Sequence, residues 1–225
     1  MKLTARHGVI VASLTVFIGL PLMFYALGVA PRRSVLKESL SVLTLLAISM
    51  LLAQYFLARS NEMLLNMFEP QQIQKAHKLI AYSAVGVILL HPALVVLPRC
   101  FEAGVKPWDA FVTLITSFDR LGVVLGLVAW ALLLVLSVSA YFRGRLVPRF
   151  RNSYRGWRYF HGGLAVTLTL FALWHAIELG RHTDIAMAAF LITLALAGFA
   201  LLARLYWGAQ QKKPLTNPIS EGAAT

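Results

Sequence analysis

Six stretches of this chain are apolar for long enough to cross a bilayer, and short polar segments separate them. The apolar runs fall at about 8–29, 38–58, 77–97, 121–142, 158–180 and 185–207. Each is close to the roughly 20 residues that a helix needs to span the hydrocarbon layer. The pattern predicts an all-α membrane protein, a six-transmembrane-helix bundle over 1–207 followed by a short polar tail over 208–225. No room is left for a soluble domain. The first run follows Lys2 and Arg6, as a secretory signal would. It is longer than a signal's apolar core, however, and Pro31 directly follows its one small-residue site, "GVA". An uncleaved first helix is therefore expected.

Two of the runs carry histidines in an unusual arrangement. "QKAHKLIAYSAVGVILLHPAL" holds His77 and His91, and "WRYFHGGLAVTLTLFALWHAIEL" holds His161 and His175, both pairs fourteen residues apart. Fourteen residues advance a helix by about 21 Å and stop about 40° short of four full turns. Each pair thus shares one face at two depths. The third and fifth runs point the same way through a six-span bundle. If they face each other, the histidines meet in two layers, His77 with His161 and His91 with His175.

Composition sharpens this picture. Of 225 residues 59% are hydrophobic and 13% charged, which suits a membrane protein. With both termini placed in the cytoplasm, fourteen Lys and Arg fall on the inner side and seven on the outer. That bias sets the orientation, against a local exception at Arg32, Arg33 and Lys37. The net charge of +12 is then a topology signal. With no basic soluble module, nucleic acid is not an expected partner. The single Cys100 allows no intramolecular disulfide and no thiolate metal site.

Two imidazoles at one level suit a haem iron, one on each side of the ring. A buried imidazole is costly without a partner, and ligation supplies one. Its second N–H then needs an acceptor, for which an upstream backbone carbonyl is a candidate. For one histidine, an interhelical hydrogen bond is the plainer reading. Zinc is the rival metal, with Glu178, one turn beyond His175, as a third ligand. Gly162 and Gly163 beside His161 would admit either a flat macrocycle or a neighbouring helix. Ala84 and Leu168 lie midway between the layers, facing the space between two haems or filling ordinary bundle core.

The motifs resemble a known family. "HK" at His77–Lys78 with "LLHP" ending at Pro92, and "YRGWRYFH" ending at His161 with "LWH" ending at His175, are similar to the third and fifth helices of ferric-reductase-like transmembrane domains. That superfamily includes ferric reductases and NADPH oxidases. The resemblance implies six helices and two stacked b-type haems, with His77 and His161 on the inner iron and His91 and His175 on the outer. It implies electron transfer from a cytoplasmic-side donor to a periplasmic acceptor such as ferric iron, in a bacterial inner membrane. Many members continue into flavin and nicotinamide domains, whereas this sequence ends at Thr225 and has no dinucleotide fingerprint. The donor is then expected to be a separate protein, a flavoprotein carrying FAD, or else quinol. A shorter relative, the haem subunit of the periplasmic methionine sulfoxide reductase system, is the alternative, and His77 weighs against it.

Three further segments drew expectations. The inner stretch "RGRLVPRFRNSYRGWR" carries six arginines, which would dock an acidic flavoprotein, touch flavin phosphates or simply obey the topology rule. Glu178, Arg181, His182 and Asp184 form a polar group outside the fifth run, read as an approach for an acceptor or as a solvated loop. Trp108, Phe111 and Phe118 mark a membrane interface. From a different class, a non-haem transporter would use the histidines as proton relays and would break its helices near the midplane, at Pro21 and Pro92.

Overall fold

The computed structural model describes residues 2–58, 61–151 and 154–211; Arg59, Lys212, Lys213 and most of the expected tail lie outside them. Six helices are long and apolar enough to cross a membrane. They are α1 (Thr4–Leu27), α2 (Val35–Phe56), α3 (Pro70–Phe101), α4 (Leu121–Tyr141), α5 (Tyr154–Leu179) and α6 (Ile185–Trp207). No strand occurs among the described residues. The chain is a multi-pass, all-helical membrane protein, as its hydropathy predicts.

The largest departure in length is α3, which starts seven residues before the apolar run. Pro70 occupies the first turn, where its missing N–H costs nothing. Glu69 and Gln72 form a capping box around that turn. Polar residues can therefore extend the helix below the hydrocarbon layer. Three short helices, Glu62–Met67, Pro107–Thr116 and Arg143–Leu146, occupy connections the hydropathy left as loops. The second of these carries Trp108 stacked on Phe111 at 5.8 Å, with Trp108 exposed at the bundle's rim.

Neither proline breaks its helix. α3 runs through Pro92. In α1, Pro21 lacks the N–H that would pair with the Phe17 carbonyl four residues earlier. The helix widens to a π-turn over Thr15–Gly19, and the buried Ser49 hydroxyl of α2 donates to Phe17 O at 2.9 Å. The interruption that a transporter would exploit is sealed by packing.

The helices associate in two close pairs, α2 with α3 and α4 with α5, and α6 packs on α2 and α5. α3 and α5, the histidine helices, are not among the closely packed pairs. One core joins α1, α2, α5 and α6 around Leu52, Leu173, Met187 and Leu191. A second joins α3, α4 and α5 around Ala129, Leu133 and Leu168. Hydrogen bonds cross the helices as well, including Tyr55 Oη with Thr169 Oγ1 at 2.8 Å and Trp130 Nε1 to Leu89 O at 3.0 Å. In lipid such bonds contribute about 0.6 kcal/mol each, up to ~2. Arg6 bonds Met67 O, and Tyr206 bonds Arg158 O, so the chain's start and the end of α6 share one end of the bundle.

Candidate functional site

The four histidines are half-buried. His91 and His175 come together: their ring centroids are 6.3 Å apart and their planes nearly perpendicular, at 84°. Each ring is held by its Nδ1. His175 Nδ1 lies 2.8 Å from the Gly122 carbonyl, which can only accept, so the nitrogen carries the proton and donates. His91 Nδ1 lies 3.4 Å from Thr44 Oγ1. The Thr44 hydroxyl already donates to Leu40 O, so here too the imidazole is the donor, across a long contact. Both rings thus keep a bare Nε2, the arrangement of a metal-ligating histidine.

The spacing fits an ion between the two rings. Metal–imidazole bonds of ~2.0 Å, with each centroid about 1.1 Å behind its nitrogen, put the centroids about 6 Å apart. The acceptor for His175 comes from the neighbouring helix α4, where an upstream carbonyl of α5 was expected. Gly126, one turn along α4, makes the approach possible, since a Cβ there would overlap His175 Nδ1. Glu178 completes the support: Oε1 accepts from Gly122 N at 3.2 Å and Oε2 from Trp174 Nε1 at 3.0 Å.

Both Glu178 oxygens are thus engaged by hydrogen bonds in this structure. Among the described residues no three of His, Cys, Asp and Glu converge as a structural zinc site requires.

At the other layer the His161 ring stacks on Trp157 at 5.5 Å. Its Nδ1 is buried without a hydrogen-bond partner. An orphaned buried polar atom normally costs about 1–3 kcal/mol, so a bound group is a physical reason for it. Gly162 belongs to helix packing: a Cβ there would overlap the Tyr206 hydroxyl of α6. Gly163 faces open space. Between the layers Ala84 and Leu168 are both buried.

The expected outer polar group divides into separate structural ties. Arg181 donates to Pro31 O at 2.9 Å, and Asp184 Oδ1 caps α6 by accepting from Met187 N at 2.9 Å. His182 joins a cluster that the sequence reading missed, centred on Glu38 of α2. Glu38 accepts from Tyr25 Oη at 2.6 Å and from Arg33 Nε at 3.0 Å, and its Oε2 lies 3.0 Å from His182 Nε2, an ion pair when that ring is protonated. Lys37 and Arg99 pair with Glu102 beside it, at 2.9 and 2.8 Å, and hold its carboxyl below the usual range.

Comparison with known proteins decides the family. A family model described as "Ferric reductase like transmembrane component" matches residues 43–172, more than half of the chain. This chain belongs to that family. The match spans α3, α4 and most of α5, including His77, His91 and His161, and stops three residues before His175. An uncharacterized protein of Archaeoglobus fulgidus is 40% identical over 164 residues, covering 73% of this chain and 87% of its own length. No solved structure matches the chain. The ferric-reductase-like family points to transmembrane electron transfer with a redox partner, and its membrane domains are generally haem-binding.

Proposed function

We propose that this chain carries electrons across a membrane, holding one b-type haem between His91 and His175 and a second between His77 and His161. The observation that carries the reading is the His91–His175 pair: 6.3 Å between rings, each Nδ1 engaged, each Nε2 bare. The unpartnered His161 Nδ1 supports the second layer. With both axial positions filled, haem b supplies one-electron exchange and offers no open position to a substrate.

The residues of the chain have distinct tasks in this reading. Gly122, Gly126 and Glu178 set the His175 ring, and Thr44 steadies His91. Ala84 and Leu168 exclude water between the layers. The arginine-rich end faces the cytoplasm by the positive-inside rule and meets the electron donor there, a separate flavoprotein carrying FAD or quinol. The Glu38 end faces a periplasmic acceptor such as ferric iron. The setting is a bacterial inner membrane.

Haem content of the detergent-purified chain tests this, by pyridine haemochrome assay and reduced-minus-oxidised spectrum, with His77→Ala and His175→Ala beside it. The expected result is about two haems b per chain, each variant losing one. One haem, unaffected by His77→Ala, would transfer the reading to a haem subunit of a periplasmic reductase of the methionine sulfoxide type. No haem from haem-replete cells would sink electron transfer and favour a transporter.

A further inference from the structure

Five ion pairs form among the described residues, and all five lie at the Glu38 end. At the opposite end the arginines of the α4–α5 connection form no ion pair among the described residues. Two of them, Arg145 and Arg149, flank a groove of about 610 Å³. Its other wall is an exposed side of α4, with Leu134, Val135 and Val138, together with Phe142 just past the end of that helix. Val135 and Val138 are half exposed, so the groove opens sideways toward the hydrocarbon as well as toward the interface. Arg145 also lies over the Phe142 ring at 5.7 Å.

The combination is directional. An apolar groove begins along the exposed side of α4 and ends, just past Tyr141 where α4 stops, on two guanidinium groups that have no acid partner among the described residues. Guanidinium matches phosphate in charge and in hydrogen-bond geometry. Clusters of basic residues at the cytoplasmic end of membrane helices bind anionic headgroups. A soluble flavin phosphate would use the arginines but leave the wall of Val135 and Val138 unexplained. We propose that this groove is a binding site for one anionic phospholipid, its phosphate on Arg145 and Arg149 and an acyl chain along α4. A lipid seated here would fix the short helix Arg143–Leu146 against α4. That would hold the arginine-rich connection at one height below the membrane.

The test is native mass spectrometry of the delipidated full chain, titrated with dioleoyl-phosphatidylglycerol and separately with dioleoyl-phosphatidylcholine. Arg145→Gln/Arg149→Gln is compared with Lys75→Gln/Lys78→Gln, which removes the same charge from the same end away from the groove. Val138→Trp fills the apolar wall without changing charge. One phosphatidylglycerol is expected to bind in preference to phosphatidylcholine. The arginine pair should weaken it by roughly thirtyfold, from the ordinary attraction of two basic side chains to an anionic surface. The lysine pair should change it little, and Val138→Trp should also weaken it. Equal losses in the arginine and lysine pairs would reduce the site to diffuse charge and overturn the proposal. So would equal affinity for the two lipids, or indifference to Val138→Trp. Flavin mononucleotide or inorganic phosphate displacing phosphatidylglycerol from the wild type would assign the arginines to a soluble phosphate and overturn it as well. Should the arginine pair fail to fold, Val138→Trp and the lipid comparison still decide. None of these readouts depends on haem, so this proposal and the electron-transfer reading fail separately.

Discussion

The imidazole of His175 donates from Nδ1 to the carbonyl of Gly122 on the adjacent helix, at 2.8 Å. The same glycine's N–H is held by Glu178, one turn past His175. That N–H is one of the unpaired donors in the first turn of α4, where a carboxylate is favourable. A single residue of α4 is thus gripped from two successive turns of α5. The ring's direction is fixed by backbone, which no side-chain substitution removes directly.

Substitution of Gly126 is the sharpest way to disturb this relationship. In Gly126→Ala the new methyl would overlap the ring nitrogen, so His175 must swing away or α4 must retreat. Overpacking of this kind costs about 1–3 kcal/mol. The expected outcome is loss of about half the haem, with the His77–His161 layer retained. A spectrum at full wild-type intensity would show that the His175 position is not critical.

Glu178→Gln tests the same clamp more gently. The neutral amide keeps one carbonyl oxygen, so it can accept from Gly122 N or from Trp174 Nε1, while its NH2 can only donate and loses the other bond. A hydrogen bond to a charged group is worth about 1.5–3 kcal/mol, roughly twice a neutral one. Glu178 is exposed, so the loss should sit at the low end, a fall of a few degrees in thermal unfolding with haem content unchanged. Haem loss in Glu178→Gln would instead mean that the carboxylate's charge, and not only its hydrogen bonds, is needed to hold the His175 ring.

The sequence made the spans and the histidine register visible because both are periodic signals, read along one helix at a time. It made the clamp less visible, since that depends on which helix lies beside α5. The Gly-x-x-x-Gly spacing at Gly122 and Gly126 was the available sign, because small residues four apart mark close helix approach. Gly162, beside a histidine, is the more conspicuous glycine in the sequence, yet its close neighbour is Tyr206 of α6. The Glu38 cluster was hidden for a related reason. Arg32, Arg33 and Lys37 read as an exception to the charge rule, whereas the fold supplies Glu38 and Glu102 to neutralise them. Acids and bases that pair across connections have no signature in a linear count.

Ser49→Ala should expose the role of Pro21. The hydroxyl is fully buried and serves the carbonyl that Pro21 leaves unpaired. Deleting it strands Phe17 O, with an expected cost of about 1–3 kcal/mol. In a Pro21→Ala background the backbone can supply its own N–H, and the same deletion should then cost less. A double-mutant cycle on thermal or denaturant unfolding measures that coupling. Additive effects would mean that Ser49 and Pro21 act independently.

The Glu38 end should loosen as pH falls. His182 lies outside the spans and contacts Glu38, packs at a tilt against Tyr25 with ring centroids 4.7 Å apart, and faces Arg32, Arg33 and Arg181. Burial pushes its pKa below the ordinary value of 6.5, the three arginines push the same way, and Glu38 opposes them. A depressed histidine value means that the unfolded chain takes up the proton first. Stability from the neutral ring is therefore complete above about pH 6.5 and declines as pH falls through the lower, folded value. Thermal unfolding in detergent should show a lower midpoint at pH 5 than at pH 7.5, and His182→Asn should flatten part of that slope. A midpoint that rises on acidification would mean that the Glu38–His182 ion pair outweighs burial and the arginines. His182 would then act as a charged tie holding the ends of α1, α2 and α6 together.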